Sequence, residues 1–168
     1  PAGLVRVDMG LPRLTRGEIP MTGIQGDRAV SVPLRACGRE FVGTAVSMGN
    51  PHFVVFVENA EKVPLNEWGP ALETHAAFPR KTNVEFVQVL NETTVRMRVW
   101  ERGAGITRAC GTGACATAVA CILNHKTADQ LTVKLDGGDL KIAWPQHKSV
   151  WMTGPAAEVF TGDYLGDK

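Results

Sequence analysis

The densest concentration of reactive side chains runs from Glu101 to Ala118. It reads Glu101-Arg102-Gly103-Ala104-Gly105-Ile106-Thr107-Arg108-Ala109-Cys110-Gly111-Thr112-Gly113, followed by Ala114-Cys115-Ala116-Thr117-Ala118. This order implies a strand ending at Trp100, a glycine-rich polar loop, and a helix of small residues beginning just past Cys110. The first backbone N–H groups of such a helix, those of Gly111, Thr112 and Gly113, have no intrahelical acceptor and form a seat for a carboxylate or phosphate. The positive end of the helix dipole favours a thiolate, so a lowered pKa is expected for Cys110. A thiolate beside a carboxylate seat suits acid–base work on the atom next to that carboxylate. Glu101 and Arg102 at the loop's mouth would complement a zwitterionic amino-acid end, guanidinium to carboxylate and carboxylate to ammonium. No G-K-[ST] follows the loop and G-x-G-x-x-G is not matched, which excludes the common nucleotide-phosphate motifs.

The remaining cysteines are Cys37, Cys115 and Cys121. Their spacing provides neither C-x-x-C pairs nor a flanking histidine pair, so no zinc or other metal site is expected. Cys110, Cys115 and Cys121 lie along one helix and point in different directions, which argues against disulfides among them. Cys115 and Cys121 read as small buried apolar residues. Cys37 is also followed by glycine, but Cys37-Gly38-Arg39-Glu40 leads into a strand rather than a helix, and it reads as structural or incidental.

The elements that must hold this loop can be traced on both sides. Phe41 to Met48 reads as a strand, Gly49-Asn50-Pro51-His52 as a turn, and Phe53 to Val57 as a second strand of continuous apolar residues. Leu65 to Ala76 has helical spacing of Leu65, Trp68, Leu72 and Ala76, closed by Phe78-Pro79. Val84–Leu90 and Val95–Trp100 alternate at period two and form a hairpin with one solvated face. A helix spans about Gly113 to Asn124, and a second hairpin joins Leu131–Leu135 to Leu140–Trp144 through Asp136-Gly137-Gly138-Asp139. Short strands at Trp151–Thr153 and Glu158–Thr161 flank Gly154-Pro155. Val5 to Met9 reads as a strand, with the rest of the first thirty residues as connecting loop. Many antiparallel strands with two helices make the class α+β.

The 168 residues suffice for one domain, and 44% hydrophobic with 21% charged residues is a globular composition. A net charge of +1 without basic runs gives no field for nucleic acid or anionic lipid. No apolar stretch reaches the ~20 residues of a membrane helix, and no secretory leader opens the chain. The expectation is a soluble, cytosolic domain without nucleic-acid or membrane partners.

The run E-R-G-A-G-I-T-R-A-C-G-T-G-A-C-A resembles the C-terminal half of bacterial diaminopimelate epimerases, as do the upstream M-G-N-P-H and F-P-R-K-T-N-V-E-F-V. The downstream G-G-D-L-K-I-A-W and M-T-G-P-A-A-E-V-F-T-G extend the match over nearly everything beyond about Met48. Proline racemases share a cysteine-bearing helix tip but not this set of motifs. The resemblance implies an α+β domain with an antiparallel sheet curled around a central helix, spanning 31–168, and preceded by a connecting segment over 1–30. It implies that Cys110 is one of two catalytic cysteines, with His52 and Glu101 helping to set their protonation. Gly111 and Thr112 would donate to the carboxylate at the reacting centre, while Asn50, Asn83, Glu101 and Arg102 would recognise the distal end. It further implies a cytoplasmic isomerase without cofactor or metal, interconverting LL- and meso-2,6-diaminopimelate for lysine and cell-wall synthesis. Phe160 stands at an aromatic position linked to homodimers.

Inverting a carbon without a cofactor needs a base on one face and an acid on the other. The family's second cysteine lies in a C-G-N-G-type motif of the N-terminal half, and no such motif occurs in this sequence. The expectation is a half-cleft, inactive alone, that partners a missing N-terminal domain. Two alternatives stay open at this point: a non-catalytic amino-acid-binding or interaction module that keeps the fold, and a related isomerase of the proline racemase type. Glu101, Arg102, Asn50 and Asn83 favour a substrate with a second zwitterionic end.

Overall fold

The helix that follows Cys110 has no polar face, and the architecture follows from that. In the computed structural model, which describes residues 3–163, helix α2 (Gly111–Leu123) is buried at every residue from Gly113 to Ile122. A helix apolar on all sides must be surrounded. The surrounding element is a ten-stranded sheet: β1 (Gly3–Asp8), β2 (Val32–Ala36), β3 (Arg39–Ser47), β4 (Pro51–Phe56), β5 (Asn83–Asn91), β6 (Thr94–Glu101), β7 (Gly105–Ile106), β8 (Gln130–Leu135), β9 (Gly138–Ala143) and β10 (Trp151–Ala156). The strands run in the order β1-β10-β9-β8-β6-β5-β4-β3-β2, with β7 appended to β6. Every strand from β3 to β10 except β7 packs on α2, so the sheet is wrapped around the helix. Residues just after β1 span the gap between β10 and β3: Met9 and Gly10 exchange backbone hydrogen bonds with Val150, and Arg13 with Ser47.

Two cores result. The inner one joins α2 to the concave sheet face through Val46, Val54, Val87, Met97, Val133 and Ile142. The outer one lies under helix α1 (Leu65–Glu73), where Leu65 and Leu72 meet Phe53, Val84 and Phe86 on the convex face of β4 and β5. β4 and the first half of β5 are therefore buried on both faces. That accounts for the continuous apolar run at Phe53–Val55 and corrects the expectation of a solvated face for the first half of β5.

The α+β class holds, and the sheet curls around a central helix as expected. It is mixed rather than wholly antiparallel, however, because β4–β5 and β6–β8 are parallel pairs. Each parallel pair is joined by a helix, α1 on the outside and α2 on the inside, as parallel neighbours require a crossover. Further differences are local. Helix α1 ends at Glu73, where the Thr74 hydroxyl donates to the Pro70 carbonyl, three residues before its expected end. The Trp151 strand continues through Gly154-Pro155 to Ala156 and pairs with β1, whereas Glu158–Thr161 forms no strand. Strands β2 and β7 were not foreseen. Pro1, Ala2 and 164–168, which fall in the expected segments 1–30 and 31–168, lie outside the described residues. No helix is long and apolar enough to cross a membrane among the described residues.

Close approach on the convex face depends on Gly43 of β3, where an added Cβ would meet the Phe53 ring at 2.4 Å. Gly43→Ala is expected to destabilise the protein by about 1–3 kcal/mol through overpacking. Urea unfolding monitored by tryptophan fluorescence measures this, and an unchanged midpoint would contradict the packing described.

Candidate active site

Cys110 is the N-cap of α2 in an extended conformation, and its carbonyl accepts the first helical bond from Ala114 N–H at 2.9 Å. Gly111 and Thr112 occupy the first helical turn and are half-buried, at the positive end of the helix where backbone N–H groups have no intrahelical acceptor. The Thr112 hydroxyl lies 3.7 Å from Cys110 Sγ. Among the described residues no group of three His, Cys, Asp or Glu side chains is arranged to hold a metal ion.

The strands below bring polar groups to this helix tip. β4 and β5 are in parallel register with His52 opposite Asn83 and Val54 opposite Glu85. Val54 and Val87, each two residues on from His52 and Glu85, face α2, so His52 and Glu85 share that concave face. His52 Nδ1 is 2.7 Å from Glu85 Oε1, and both side chains are wholly buried. His52 Nε2 is 3.0 Å from Asn50 Oδ1, and Asn50 Nδ2 donates to Thr112 Oγ1 at 3.4 Å. The turn before β4 aims Asn50 this way, helped by Gly49 at φ +100°. A continuous polar line therefore runs from Glu85 through His52, Asn50 and Thr112 to Cys110. Glu85 reaches this point because Gly113 has no side chain: a Cβ there would lie 2.8 Å from Glu85 Oε1 and 3.1 Å from Cys110 Sγ.

The second group of residues holds the loop. Glu101 Oε1 accepts from the Thr107 hydroxyl across the loop. Exposed Arg102 donates through Nη1 to the Arg80 carbonyl at 3.1 Å. Asn83 is buried, and its amide is engaged at both ends, accepting from Arg102 N–H at 2.9 Å and donating to the Pro51 carbonyl at 2.8 Å. It props the Arg102 backbone from beneath. Glu73, at the end of α1, does the same from the other side, taking Trp100 Nε1–H at 2.7 Å and Gly103 N–H at 3.1 Å.

The structure thus gathers Cys110, Gly111, Thr112, Asn50 and His52 at one point, with Glu101 and Arg102 on the adjoining loop and Asn83 under it. Two carboxyl groups were missed. Glu85 sits in an alternating strand and reads as solvent-facing, although Val84-Glu85-Phe86 between buried strands could have marked it. Glu73 gives no signal in the sequence. Cys115 and Cys121 are buried, as expected, and Cys37 lies exposed in the β2–β3 turn.

The expected lowering of the Cys110 pKa is overturned. Burial pushes its thiol up to about 12, the Glu85 carboxyl adds to this, and the hydrogen bonds from Thr112 and Gly113 N–H only oppose it. The physical reason is one of magnitude: a helix end contributes about 0.3–1 kcal/mol, less than about one pKa unit, and desolvation of an anion exceeds that. Burial also raises the Glu85 carboxyl, against the lowering influence of His52.

A family model described as "Diaminopimelate epimerase" matches residues 44–159. Among curated relatives, the diaminopimelate epimerase of Pelotomaculum thermopropionicum is 59% identical over 161 residues, covering 96% of this chain and 57% of the relative. That of Elusimicrobium minutum is 55% identical, covering 95% and 59%, and that of Bacillus cereus 52% identical, covering 96% and 57%. The chain therefore spans less than three-fifths of the length of these relatives. Among solved structures, a probable proline racemase from Agrobacterium radiobacter shares the fold with a TM-score of 0.63 at 12% identity, covering 97% of this chain and 54% of that one. A hydroxyproline epimerase from Agrobacterium vitis does so at 0.53 and 13%, covering 92% and 57%.

Cys110, Cys115 and Cys121 are all held up to about 12, against 9.0 for an ordinary thiol. Between these values the folded chain keeps protons that the unfolded chain has released, so stability falls as pH rises. Urea unfolding should show stability unaffected by these thiols below about pH 9 and a loss between about 9 and about 12. The loss should shrink in Cys121→Ala; the same pH dependence with and without Cys121 would contradict it.

Proposed function

The chain belongs to the diaminopimelate epimerase family, and from that premise we propose that it is the Cys110-bearing part of a cofactor-independent isomerase acting on 2,6-diaminopimelate. The reading is carried by one observation: a cysteine at the N-cap of α2, next to the half-buried first-turn residues Gly111 and Thr112, whose N–H groups have no intrahelical acceptor. Gly111 and Thr112 N–H hold the carboxylate of the reacting centre, where the helix end stabilises its charge. Thiolate at Cys110 removes the Cα proton, and the electron pair passes into the carboxylate held by those amides. A thiol on the opposite face then gives Cα a proton, inverting it; in the reverse direction Cys110 is the donor. Burial favours the protonated form of Cys110, so the thiolate needed in one direction has to be favoured by its neighbours.

Glu101 and Arg102 recognise the distal amino-acid end, with Asn50 at the junction and Asn83 fixing the Arg102 backbone. His52 and Glu101 bear on the thiol's protonation, His52 through Asn50 and Thr112. The second cysteine comes from outside this chain. Cys115 and Cys121 are wholly buried, and Cys37 faces away at the β2–β3 turn with its Sγ directed to the Glu67 carbonyl. The complete enzyme is then a two-part cytoplasmic protein interconverting the LL and meso forms in lysine and peptidoglycan synthesis. Its homodimer would use Phe160, which is 84% exposed here. Segment 1–30 would connect the two parts.

The chain alone should not epimerise diaminopimelate. Mixed with the N-terminal part of a related epimerase in deuterium oxide, it should carry solvent deuterium into Cα, and Cys110→Ala should abolish this. NMR or mass spectrometry of the recovered substrate reads the outcome. Exchange surviving Cys110→Ala overturns the mechanism, and binding of diaminopimelate without exchange favours an amino-acid-binding module instead.

A further inference from the structure

Glu85 Oε2 is buried and has no hydrogen-bond partner among the described residues. The mechanism above does not use this carboxyl, yet its other oxygen begins the polar line that ends at Cys110. Two polarities of that line are possible. In one, Asn50 Oδ1 accepts from His52 Nε2–H, which leaves Nδ1 as an acceptor and requires Glu85 to donate. Asn50 Nδ2 then donates to Thr112 Oγ1, and the Thr112 hydroxyl hydrogen is free to turn to Cys110 Sγ. In the other, Thr112 donates to a reversed Asn50 amide, which donates to Nε2, and Nδ1–H donates to an ionised Glu85; a doubly protonated His52 would keep the first direction toward Asn50 but likewise set Nδ1–H on an ionised Glu85.

The orphaned oxygen decides between them. An ionised carboxylate divides its charge over two oxygens and needs partners on both, and one of these is buried with none. A protonated carboxyl needs a partner chiefly for its O–H, and His52 Nδ1 supplies it at 2.7 Å. The titratable groups facing Glu85 are His52 from β4, Glu101 from β6 and Cys110 from α2, so no permanent cation offsets a charge there. Burial favours the same, neutral form.

We propose that Glu85 is a positioning residue that keeps its proton, donates it to His52 Nδ1, and so fixes a one-way chain of hydrogen bonds ending in the Thr112 hydroxyl directed at the Cys110 sulfur. The Thr112 oxygen already accepts from Asn50, so its own hydrogen is left to turn to the sulfur, where it favours the thiolate that Cys110 must form during turnover. With Glu85 neutral, the nearer of the two carboxyl groups that oppose that thiolate, Glu85 and Glu101, carries no charge. The catalytic meaning rests on the epimerase reading, whereas the proton's location does not.

The test uses this chain without substrate, in a Cys37→Ala background so that Cys110 is the alkylation target. Nitrogen-15 NMR of the histidine rings at neutral pH should show His52 protonated at Nε2 and bare at Nδ1, with the signal assigned by its loss in His52→Gln. Glu85→Gln, whose amide N–H can replace the donated proton, should keep that tautomer and alkylate at Cys110 within about twofold of the parent. Glu85→Met, of similar length but without a donor, should lose the single tautomer and alkylate about fivefold more slowly, the worth of roughly one hydrogen bond. A proton on Nδ1 in the parent chain, alone or with one on Nε2, overturns the proposal and decides it even if Glu85→Met does not fold. Alkylation of Glu85→Met at or above the Glu85→Gln rate overturns it too. Failure of Cα exchange with a complementary half would leave these readouts unchanged.

Discussion

The sheet can close around α2 only because the helix is thin. Gly113, Ala114, Ala116, Ala118 and Ala120 present little beyond backbone, and the strands on every side come within packing distance of it. The thinnest point is Gly113, where any side chain would strike both Glu85 and Cys110. The same constraint that makes the core therefore makes the site. Wrapping the helix forces its N-terminus, with its unsatisfied donors, up against the ends of β4 and β5. Whatever those strands present there must be polar, since a helix end buried against hydrocarbon leaves donors unpaired. Asn50, His52 and Glu85 stand there in one connected line of hydrogen bonds that reaches α2 through the Thr112 side chain.

Two effects compete at Cys110 and their sizes settle the outcome. The helix end and the Gly113 and Thr112 hydrogen bonds favour the anion; burial against the sheet disfavours it more strongly. A thiol that is hard to ionise holds its proton tightly and is a poor base until something at the site favours the anion. What makes the residue functional is thus less its resting charge than its neighbours: first-turn amides that can hold an anion, and a hydroxyl within reach of the sulfur.

Much of this was legible in the sequence where the signal is local. The strand–loop–helix order around Cys110, the Asn91-Glu92-Thr93-Thr94 hairpin and the turn at Asp136–Asp139 depend on neighbouring residues, and each appears where expected. What escaped depends on residues far apart in the chain. Alternation in β5 suggests one wet face, but α1 covers the convex side and α2 the concave one, so Glu85 is enclosed. The parallel pairings arise from two helical crossovers, which no local pattern encodes. Glu158–Thr161 has strand composition but pairs with nothing in the sheet, and β10, the strand it follows, already has β1 and β9 on its two sides. The Cys110 pKa was misjudged for a related reason: the helix tip is visible in the sequence, while the depth at which it lies is a property of the fold.

Within the site the polar residues divide into those that prepare a surface and those that present it. Asn83 has both ends of its amide on backbone groups, and Glu73 takes the Trp100 indole N–H and the Gly103 N–H. Between them they hold the backbone of Arg102 and Gly103. The guanidinium of Arg102 and the carboxylate of Glu101, by contrast, extend from that fixed backbone on the same side of the fold as the α2 tip. Recognition of a distal group needs such rigidity, because the spacing between the two ends of a substrate is selected only if neither anchor can shift. The buried amide and carboxyl are in this sense what turn a flexible glycine loop, with Gly103 and Gly105 at φ near +80°, into a ruler. Under the epimerase reading proposed above, these residues would form one side of a cleft, and the second proton carrier would belong to the other.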